Sequence, residues 1–114
     1  MANYHSSGTG EMGTHASIFA ALGDETRLMM LTRLSKGSPQ SISELTEGSN
    51  LTRQAISKHL RVLQDAGLVA GVRVGRERRY EFKPKRIEDI KRYLEQVSRE
   101  WDDALGRLKS FVER

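Results

Sequence analysis

Residues 51–69, LTRQAISKHLRVLQDAGLV, combine two sets of side chains with different chemistry. Apolar residues recur at every third or fourth position and predict a helix with Ile56, Leu60 and Leu63 on its buried face. The other positions carry cationic, amide and hydroxyl groups, which suit base edges and phosphates, and Gln54 can make paired hydrogen bonds to adenine. The side chains expected to contact DNA are Thr52, Arg53, Gln54, Ser57, Lys58, His59 and Arg61.

The charge distribution weighs against the alternative, in which these residues form a merely solvated helix face. The chain has a net charge of +4, but residues 53–92 hold twelve Lys and Arg against five Asp and Glu, a net +7. The flanks are weakly acidic, at −2 over residues 1–52 and −1 over residues 93–114. A basic centre between acidic flanks favours a polyanionic partner, with nucleic acid ahead of a membrane surface.

A second cationic cluster follows in residues 68–82, LVAGVRVGRERRYEF. Val72 and Val74, then Tyr80 and Phe82, alternate with charged residues and predict a two-stranded hairpin that ends at Pro84. Charged hairpin tips can also serve solubility. Three arginines so close together would repel one another unless an anion offsets them, so we favour contact with phosphate or the minor groove. The tip residues expected to do this are Gly75, Arg76, Arg78 and Arg79.

The sequence gives little support for a catalytic site or a metal site. The chain has no cysteine, and no histidine lies three or four residues from His59. Ser57 and His59 are two positions apart on the predicted helix, so their side chains diverge and cannot form a nucleophile and base pair. The sequence contains no phosphate-binding glycine loop. We therefore predict no enzyme activity, no metal site and no cofactor.

The elements that position these clusters are mostly helices. HASIFAALGDETRLMMLTRLSKG predicts two helices separated near Gly23 and Asp24, with Asp24 as the N-cap of the second. Ser41 and Glu44 have the spacing of a capping box at the start of a short helix. That short helix and the helix after Thr52 form a helix-turn-helix candidate. With the hairpin behind it, the predicted fold is a winged helix-turn-helix, mainly α with a small β-hairpin wing.

The last segment predicts one long helix from about Arg86 to Val112. Its apolar residues are spaced as a heptad seam: Ile87, Ile90, Leu94, Val97, Trp101, Ala104, Leu108 and Phe111. At 1.5 Å per residue the helix would be about 40 Å long, too long for so small a body to cover. A second copy of the chain is the economical cover, with Trp101 as an anchor rather than a ligand-pocket aromatic. We predict a dimer interface made by Ile18, Phe19, Leu22, Ile90, Leu94, Val97, Trp101 and Leu108.

At 114 residues the chain is expected to hold one domain. Residues 1–15 are small and polar and are predicted to be a disordered leader, and residues 16–114 to be the winged-helix domain with its dimerisation helix at about 86–112. The leader lacks the apolar core of a secretory signal, and no run approaches the roughly 20 apolar residues of a membrane span. We therefore expect a cytoplasmic protein.

Three stretches together resemble the ArsR/SmtB family of bacterial winged-helix repressors: ALGDETRLMMLTRLSKG, LTRQAISKHLRVLQDAGLV and VGRERRYEF. The resemblance covers about residues 16–82. It implies a homodimer that binds an imperfect palindrome in a promoter, commonly represses its own operon and is released by an effector. By position, Gln54, Ser57, Lys58, His59 and Arg61 fall in the family's DNA-reading helix, and Gly75 and Arg76 in its wing.

The chain departs from the family's metal-sensing members. They carry a cysteine motif before the reading helix or paired ligands on the last helix, whereas this chain has Glu44-Leu45-Thr46-Glu47-Gly48 and a last helix without histidine. The resemblance therefore implies a subgroup that lacks the known metal-ligand motifs. We predict a homodimeric repressor that does not sense metal. The alternative is a protein-interaction module in which the long C-terminal helix binds another protein.

Overall fold

Helices make up most of the molecule, in a computed structural model that describes residues 7–113, with side-chain surroundings from residue 13 onward. The elements in chain order are α1 (Ser7–Leu22), α2 (Glu25–Ser35), β1 (Gln40–Ser41), α3 (Ile42–Thr46), α4 (Arg53–Asp65), β2 (Val69–Val74), β3 (Glu77–Phe82) and α5 (Lys85–Val112). This order, with a small antiparallel sheet, confirms the predicted winged helix-turn-helix. None of the described helices is both long and apolar enough to cross a membrane.

The predicted helix caps are confirmed. Asp24 Oδ1 accepts a hydrogen bond from the Arg27 backbone N–H at 3.0 Å and starts α2. Ser41 and Glu44 form a reciprocal capping box at α3, with distances of 3.1 and 3.0 Å. Thr52 Oγ1 accepts from the Ala55 N–H at 3.1 Å and starts α4. Each cap satisfies a backbone donor that the first turn of a helix leaves unpaired, so local sequence sets these boundaries.

The sheet has three strands in the order β1-β3-β2, all antiparallel. The hairpin β2–β3 runs from the pair Val69 and Phe82 to the pair Val74 and Glu77, and Gly75 takes a positive φ of 66° at its turn. The prediction of a two-stranded hairpin was therefore incomplete, because Gln40 and Ser41 add a third strand beside β3. Two residues are too few to show an alternating pattern. Their strand forms only because the fold brings them to the edge of β3.

The hydrophobic core draws three side chains each from α2 and α4, two from α1, and one each from α3, β2, α5 and the residue before β2. Its largest fully buried side chains are Ile18, Leu34, Ile56, Leu60, Leu63 and Leu68. They come from α1, α2, α4 and the residue before β2, so the reading-helix candidate and the base of the wing share one hydrophobic cluster. Because burial of a Leu or Ile side chain contributes about 1.5–3 kcal/mol, this cluster holds α4 rigidly against the body.

Residues 1–15 were predicted to be a disordered leader, whereas helix α1 already begins at Ser7. Residues 1–6 lie outside the described part of the chain. The physical reason for helix at the end of this segment is a tertiary contact: the ring of His15 packs against that of Tyr93 on α5, with centroids 4.4 Å apart. Ser and Gly content alone predicts disorder, but a distant aromatic partner offsets it.

Helix α5 is only partly covered by its own chain. Its first turns pack on the body through Ile87 and Ile90, whereas Leu94, Trp101 and Leu108 are 49%, 64% and 58% exposed. The radius of gyration is 18.8 Å and the longest extent 67 Å, while a compact domain of this length has a radius of about 13 Å. The distal two thirds of α5 therefore stand away from the body.

The structure places two residues of the predicted dimer interface in the interior of one chain. Ile18 and Ile90 are only 0% and 5% exposed within one chain, because α1 packs along the first turns of α5. They belong to the core of a single protomer. The other predicted interface residues keep exposed or half-buried side chains: Phe19, Leu22, Leu94, Val97, Trp101 and Leu108.

Candidate nucleic-acid interface

The outward face of α4 carries four exposed polar side chains: Gln54, Ser57, Lys58 and Arg61. Over residues 7–113 they make no side-chain hydrogen bond or ion pair. The opposite face is buried through Ile56, Leu60 and Leu63, which fixes the rotation of the helix. This face therefore presents hydrogen-bond donors and positive charge to solvent. The buried opposite face prevents α4 from rotating about its axis.

The start of α4 is tied to the preceding helix. Arg53 Nη1 donates to Ser43 Oγ on α3 at 2.7 Å, although both side chains lie at the surface. Thr52 is exposed, and its hydroxyl is engaged as the N-cap. Both residues were predicted as DNA contacts. The structure gives each an intramolecular role that orients the first turn of α4.

His59 does not share the outward face of α4. Its Nδ1 lies 3.3 Å from Arg27 Nη1 and 4.0 Å from Asp24 Oδ1, at the beginning of α2. Arg27 also donates to the carbonyl oxygens of Ala20 and Ala21, at the end of α1. Because a guanidinium can only donate, Nδ1 must accept and the proton of neutral His59 sits on Nε2. The imidazole thus links α4 to the junction of α1 and α2.

The electrostatics of this junction are set by Asp24. The backbone N–H of Arg27 lowers the pKa of the Asp24 carboxyl below its ordinary value. Burial opposes this, and the charge of Arg27 adds to it, as does that of His59 when its ring is protonated. Asp24 is therefore ionised at neutral pH and serves both as helix cap and as counter-charge for Arg27, whose Nη1 lies 4.0 Å from Asp24 Oδ2.

The wing arginines divide into two kinds. Arg76, beside Gly75 at the turn, is exposed, and so is Arg73 on β2. Arg78 lies over the ring of Tyr80, 5.6 Å from its centroid. Its guanidinium crosses the backbone at Gly71, where a Cβ would come within 2.5 Å of Nε. The glycine at position 71 therefore leaves room for the Arg78 side chain to lie across β2. Arg76 is the exposed arginine at the tip of the wing.

Arg79 braces the wing against α3. It contacts Glu77 at 3.0 Å and Glu44 at 3.6 Å, and its Nη1 donates to the carbonyl oxygen of Pro39 at 3.3 Å. The backbone N–H of Ser41 lowers the pKa of the Glu44 carboxyl, against the effect of burial, and the charge of Arg79 lowers it further. Arg79 was predicted as a tip contact, but the structure engages its guanidinium within the chain.

Sequence reasoning missed the residues that hold the interface in place. Arg27, Ser43, Glu44 and Tyr80 position His59, Arg53, Arg79 and Arg78 respectively. Only Glu44 had a local signal, its capping-box spacing to Ser41. Within residues 7–113, no group of three or more His, Asp or Glu side chains lies close enough to hold a metal ion.

Comparison with known proteins places this geometry in a family. The model of a helix-turn-helix domain matches residues 22–72. The chain is 40% identical over 84 residues to the uncharacterised HTH-type transcriptional regulator YuzN of Bacillus subtilis, covering 68% of this chain and 91% of that protein. It is 31% identical over 109 residues to the arsenic resistance transcriptional regulator ArsR1 of Pseudomonas putida, covering 91% and 84%. The chain belongs to the ArsR/SmtB family.

The structural comparison agrees with ArsR/SmtB membership. An ArsR-like transcriptional regulator from Rhodococcus sp. RHA1 superposes with a TM-score of 0.82 at 44% identity, over 90% of this chain and 95% of the other. ArsR/SmtB proteins are DNA-binding transcriptional regulators and not enzymes. The predictions of a DNA-binding winged-helix regulator without enzyme activity are therefore confirmed.

Proposed function

We propose that the protein is a homodimeric repressor that binds a palindromic operator with α4 and the wing. The observation that carries this is the outward face of α4, where Gln54, Ser57, Lys58 and Arg61 lie exposed and unpaired within the described residues. A helix of this kind places base-reading side chains in the major groove. Arg76, at the tip of the wing, would then reach phosphate or the adjacent minor groove.

The dimer is supported by the uncovered part of α5. Leu94, Trp101 and Leu108 are exposed together on one stripe, and Phe19 and Leu22 of α1 lie at its margin. Monomeric proteins rarely leave such a stripe in contact with water. A twofold pair would bury it on both chains and set two reading helices about one helical turn of DNA apart.

Regulation without metal is part of the proposal. The sequence has no cysteine, and α5 has no histidine. Two of the three histidines face protein groups, His15 the ring of Tyr93 and His59 the guanidinium of Arg27. His5 lies outside the described residues. Since imidazole and thiolate are the usual ligands of transition metals, the donor set disfavours a sensor of that type. The proposed location is the cytoplasm, where such a repressor meets its operator.

The test is binding to DNA upstream of the gene that encodes the protein, by footprinting and by titration at several salt concentrations. If about eight phosphates are neutralised, log affinity should fall with log salt at a slope near −7. Lys58→Glu and Arg61→Glu should abolish binding, and Glu95→Lys on α5 is the control with a charge change away from α4. If Lys58→Glu and Arg61→Glu left the cellular function intact, the protein-interaction module would be favoured instead.

A further inference from the structure

An open cavity of about 210 Å³ lies where α1, the end of α4 and the start of α5 meet. Polar side chains from all three helices line it: Ser17 from α1, Gln64 and Asp65 from α4, and Arg86 from α5. None of them belongs to the outward face of α4 or to the exposed apolar stripe of α5. The volume lies below the roughly 300–1,000 Å³ of pockets for drug-sized ligands, so the cavity suits a smaller polar molecule.

Three of these polar side chains have no partner within the chain. Ser17, Gln64 and Asp65 make no side-chain hydrogen bond or ion pair with any residue from 13 to 113. Asp65 is the last residue of α4. The negative end of the helix dipole disfavours an acidic group there unless a cation offsets it. The end of α4 therefore favours a cationic group in the cavity.

The wall formed by α5 is cationic. The Arg86 side chain lies over Gly67, where a Cβ would come within 3.1 Å of its Cγ and Nε. Gly67 has a φ of 77°, so glycine both ends α4 and leaves room for this arginine. Arg86 Nη1 donates to Asp89 Oδ2 at 3.3 Å, but Asp89 also pairs with Lys85 and Arg92. Because one carboxylate faces three cations, positive charge remains beside the cavity.

We propose that this cavity binds a small zwitterion of the α-amino acid class. The ligand carboxylate pairs with the planar guanidinium of Arg86, and the ligand ammonium lies beside Asp65 at the negative end of α4. Asp65 and Arg86 line the same cavity and do not pair with one another among the described ion pairs. A simple anion would leave Asp65 without a partner, and a simple cation would leave the positive charge at Arg86 in excess.

The location of the cavity couples ligand binding to the reading helix. The last turn of α4, which carries the proposed base-reading face, forms one wall, and α1 and α5 form the others. A ligand that contacts all three helices binds best to one arrangement of α4 relative to α1 and α5, and it shifts the population toward that arrangement. Occupancy should therefore change operator affinity, by about fivefold or more. This regulatory part rests on the proposed repressor function, whereas the binding of the amino acid does not.

Thermal unfolding of the full chain tests the binding. The probes are the L-amino acids of up to about ten non-hydrogen atoms, each at about 10 mM, and calorimetric titration then measures the affinity of any that bind. At least one should raise the unfolding midpoint by a few degrees, because ligand at about ten times its dissociation constant stabilises the native state. Acetate and methylammonium, which carry one charge each, should not. No shift with any amino acid, or an equal shift with acetate or methylammonium, overturns the proposal.

Substitution of the two charges tests the site itself. Asp65→Asn and Arg86→Gln should each weaken amino acid binding by about tenfold or more. Arg86→Gln also removes a partner of Asp89, so Lys85→Gln is its matched control, since Lys85 Nζ lies 3.4 Å from Asp89 Oδ1 but does not line the cavity. Glu88→Gln removes an exposed carboxylate outside the cavity and is the control for Asp65→Asn. Equal losses in the variants and their controls would show that binding occurs elsewhere.

Filling the cavity gives a test that changes no charge. Ser17→Phe places a large side chain in the cavity from the exposed surface of α1 and should abolish amino acid binding. Ala16→Phe puts the same ring on an exposed neighbour that does not line the cavity, and it should bind as the unmodified protein does. Undiminished binding by Ser17→Phe would overturn the assignment of the cavity.

Operator titrations with and without the bound amino acid test the regulation. Operator affinity of the unmodified protein should change by about fivefold or more, and that of Ser17→Phe should not change. By linkage, operator DNA should change the affinity for the amino acid by the same factor. Amino acid binding without any change in operator affinity would overturn the regulatory link and leave the site. Amino acid binding by a protein that binds no operator would overturn the repressor function and leave the site.

Discussion

Arg27 on α2 and His59 on α4 face one another with Nη1 and Nδ1 3.3 Å apart, and the same guanidinium holds the last carbonyl oxygens of α1. One arginine therefore joins the helix that borders the proposed dimer interface to the helix that carries the proposed base-reading face. We therefore propose that His59 positions α4 by accepting a hydrogen bond from Arg27, rather than by contacting DNA.

Substitutions at His59 separate positioning from direct contact. An asparagine can keep an acceptor near the place of Nδ1, and a glutamine a donor near the place of Nε2. We expect His59→Asn to retain most stability and DNA affinity. His59→Gln and His59→Ala should each lose about 1 kcal/mol of unfolding free energy and several-fold in affinity. Urea unfolding and fluorescence anisotropy measure both. Retention of affinity by Gln and not by Asn would show instead that the outer nitrogen binds phosphate.

Arg76 and Arg79 lie three positions apart in the wing and should behave differently. Arg76→Ala removes an exposed cation, so we expect unchanged stability and a slope of log affinity against log salt that is smaller by about 1. Arg79→Ala breaks the contacts to Glu44, Glu77 and Pro39, so it should lower the unfolding free energy by up to about 1 kcal/mol. The salt slope of Arg79→Ala should stay near that of the unmodified protein. Equal losses of slope in both variants would contradict this division.

Gln54 and Lys58 should also behave differently. Gln54 should contribute to sequence specificity, and Lys58 to the affinity for DNA of any sequence. Gln54→Ala should cost about 1–3 kcal/mol on the operator and relax discrimination at one base pair per half-site. Lys58→Ala should weaken binding to all sequences alike and reduce the salt slope by about 1. Anisotropy titrations on a set of operator variants, at two salt concentrations, distinguish the two. A uniform loss for Gln54→Ala would mean that its amide binds the phosphate backbone.

Acid should destabilise the protein partly through Asp89 at the start of α5. Burial disfavours its charged form, but Lys85, Arg86 and Arg92 lie 3.4, 3.3 and 2.6 Å away and hold its pKa below the ordinary value of 3.8. The folded chain therefore releases this proton more readily than the unfolded chain. The stabilisation is fully present above pH 3.8 and is lost as the pH falls through the lower, folded pKa.

Asp89→Asn tests that assignment. The variant should be less stable than the unmodified protein at neutral pH, and the difference in unfolding free energy should narrow below pH 3.8. Urea unfolding over a pH series measures the difference. Asp102→Asn, on the exposed half of α5, is the control and should have little effect at any pH. If the difference in unfolding free energy between Asp89→Asn and the unmodified protein stayed constant into strong acid, the ion pairs of Asp89 would have no electrostatic role in stability.

Local sequence predicted the parts of the fold that obey local rules. The caps at Asp24, Ser41 and Thr52, the period of α4 and the alternation in β2 and β3 depend on neighbours within four residues, so spacing alone was sufficient. The strand β1 and the helical residues before His15 could not be found in this way. Gln40 pairs with Tyr80, and His15 packs on Tyr93, contacts that span 40 and 78 positions of the chain.

The sequence by itself determined that this is a basic winged-helix regulator, because amphipathic period, capping spacing and regional charge are all written in runs of neighbouring residues. Only the tertiary structure decided which polar residues of the interface stay exposed and which are engaged within the chain. The sequence alone does not distinguish a first group, which stays exposed, from a second group, which is engaged within the chain. The first group is Gln54, Lys58 and Arg76, and the second is Arg53, His59 and Arg79. The distinction lies in Ser43, Arg27 and Glu44, which chain folding brings within hydrogen-bonding or ion-pairing distance of the second group.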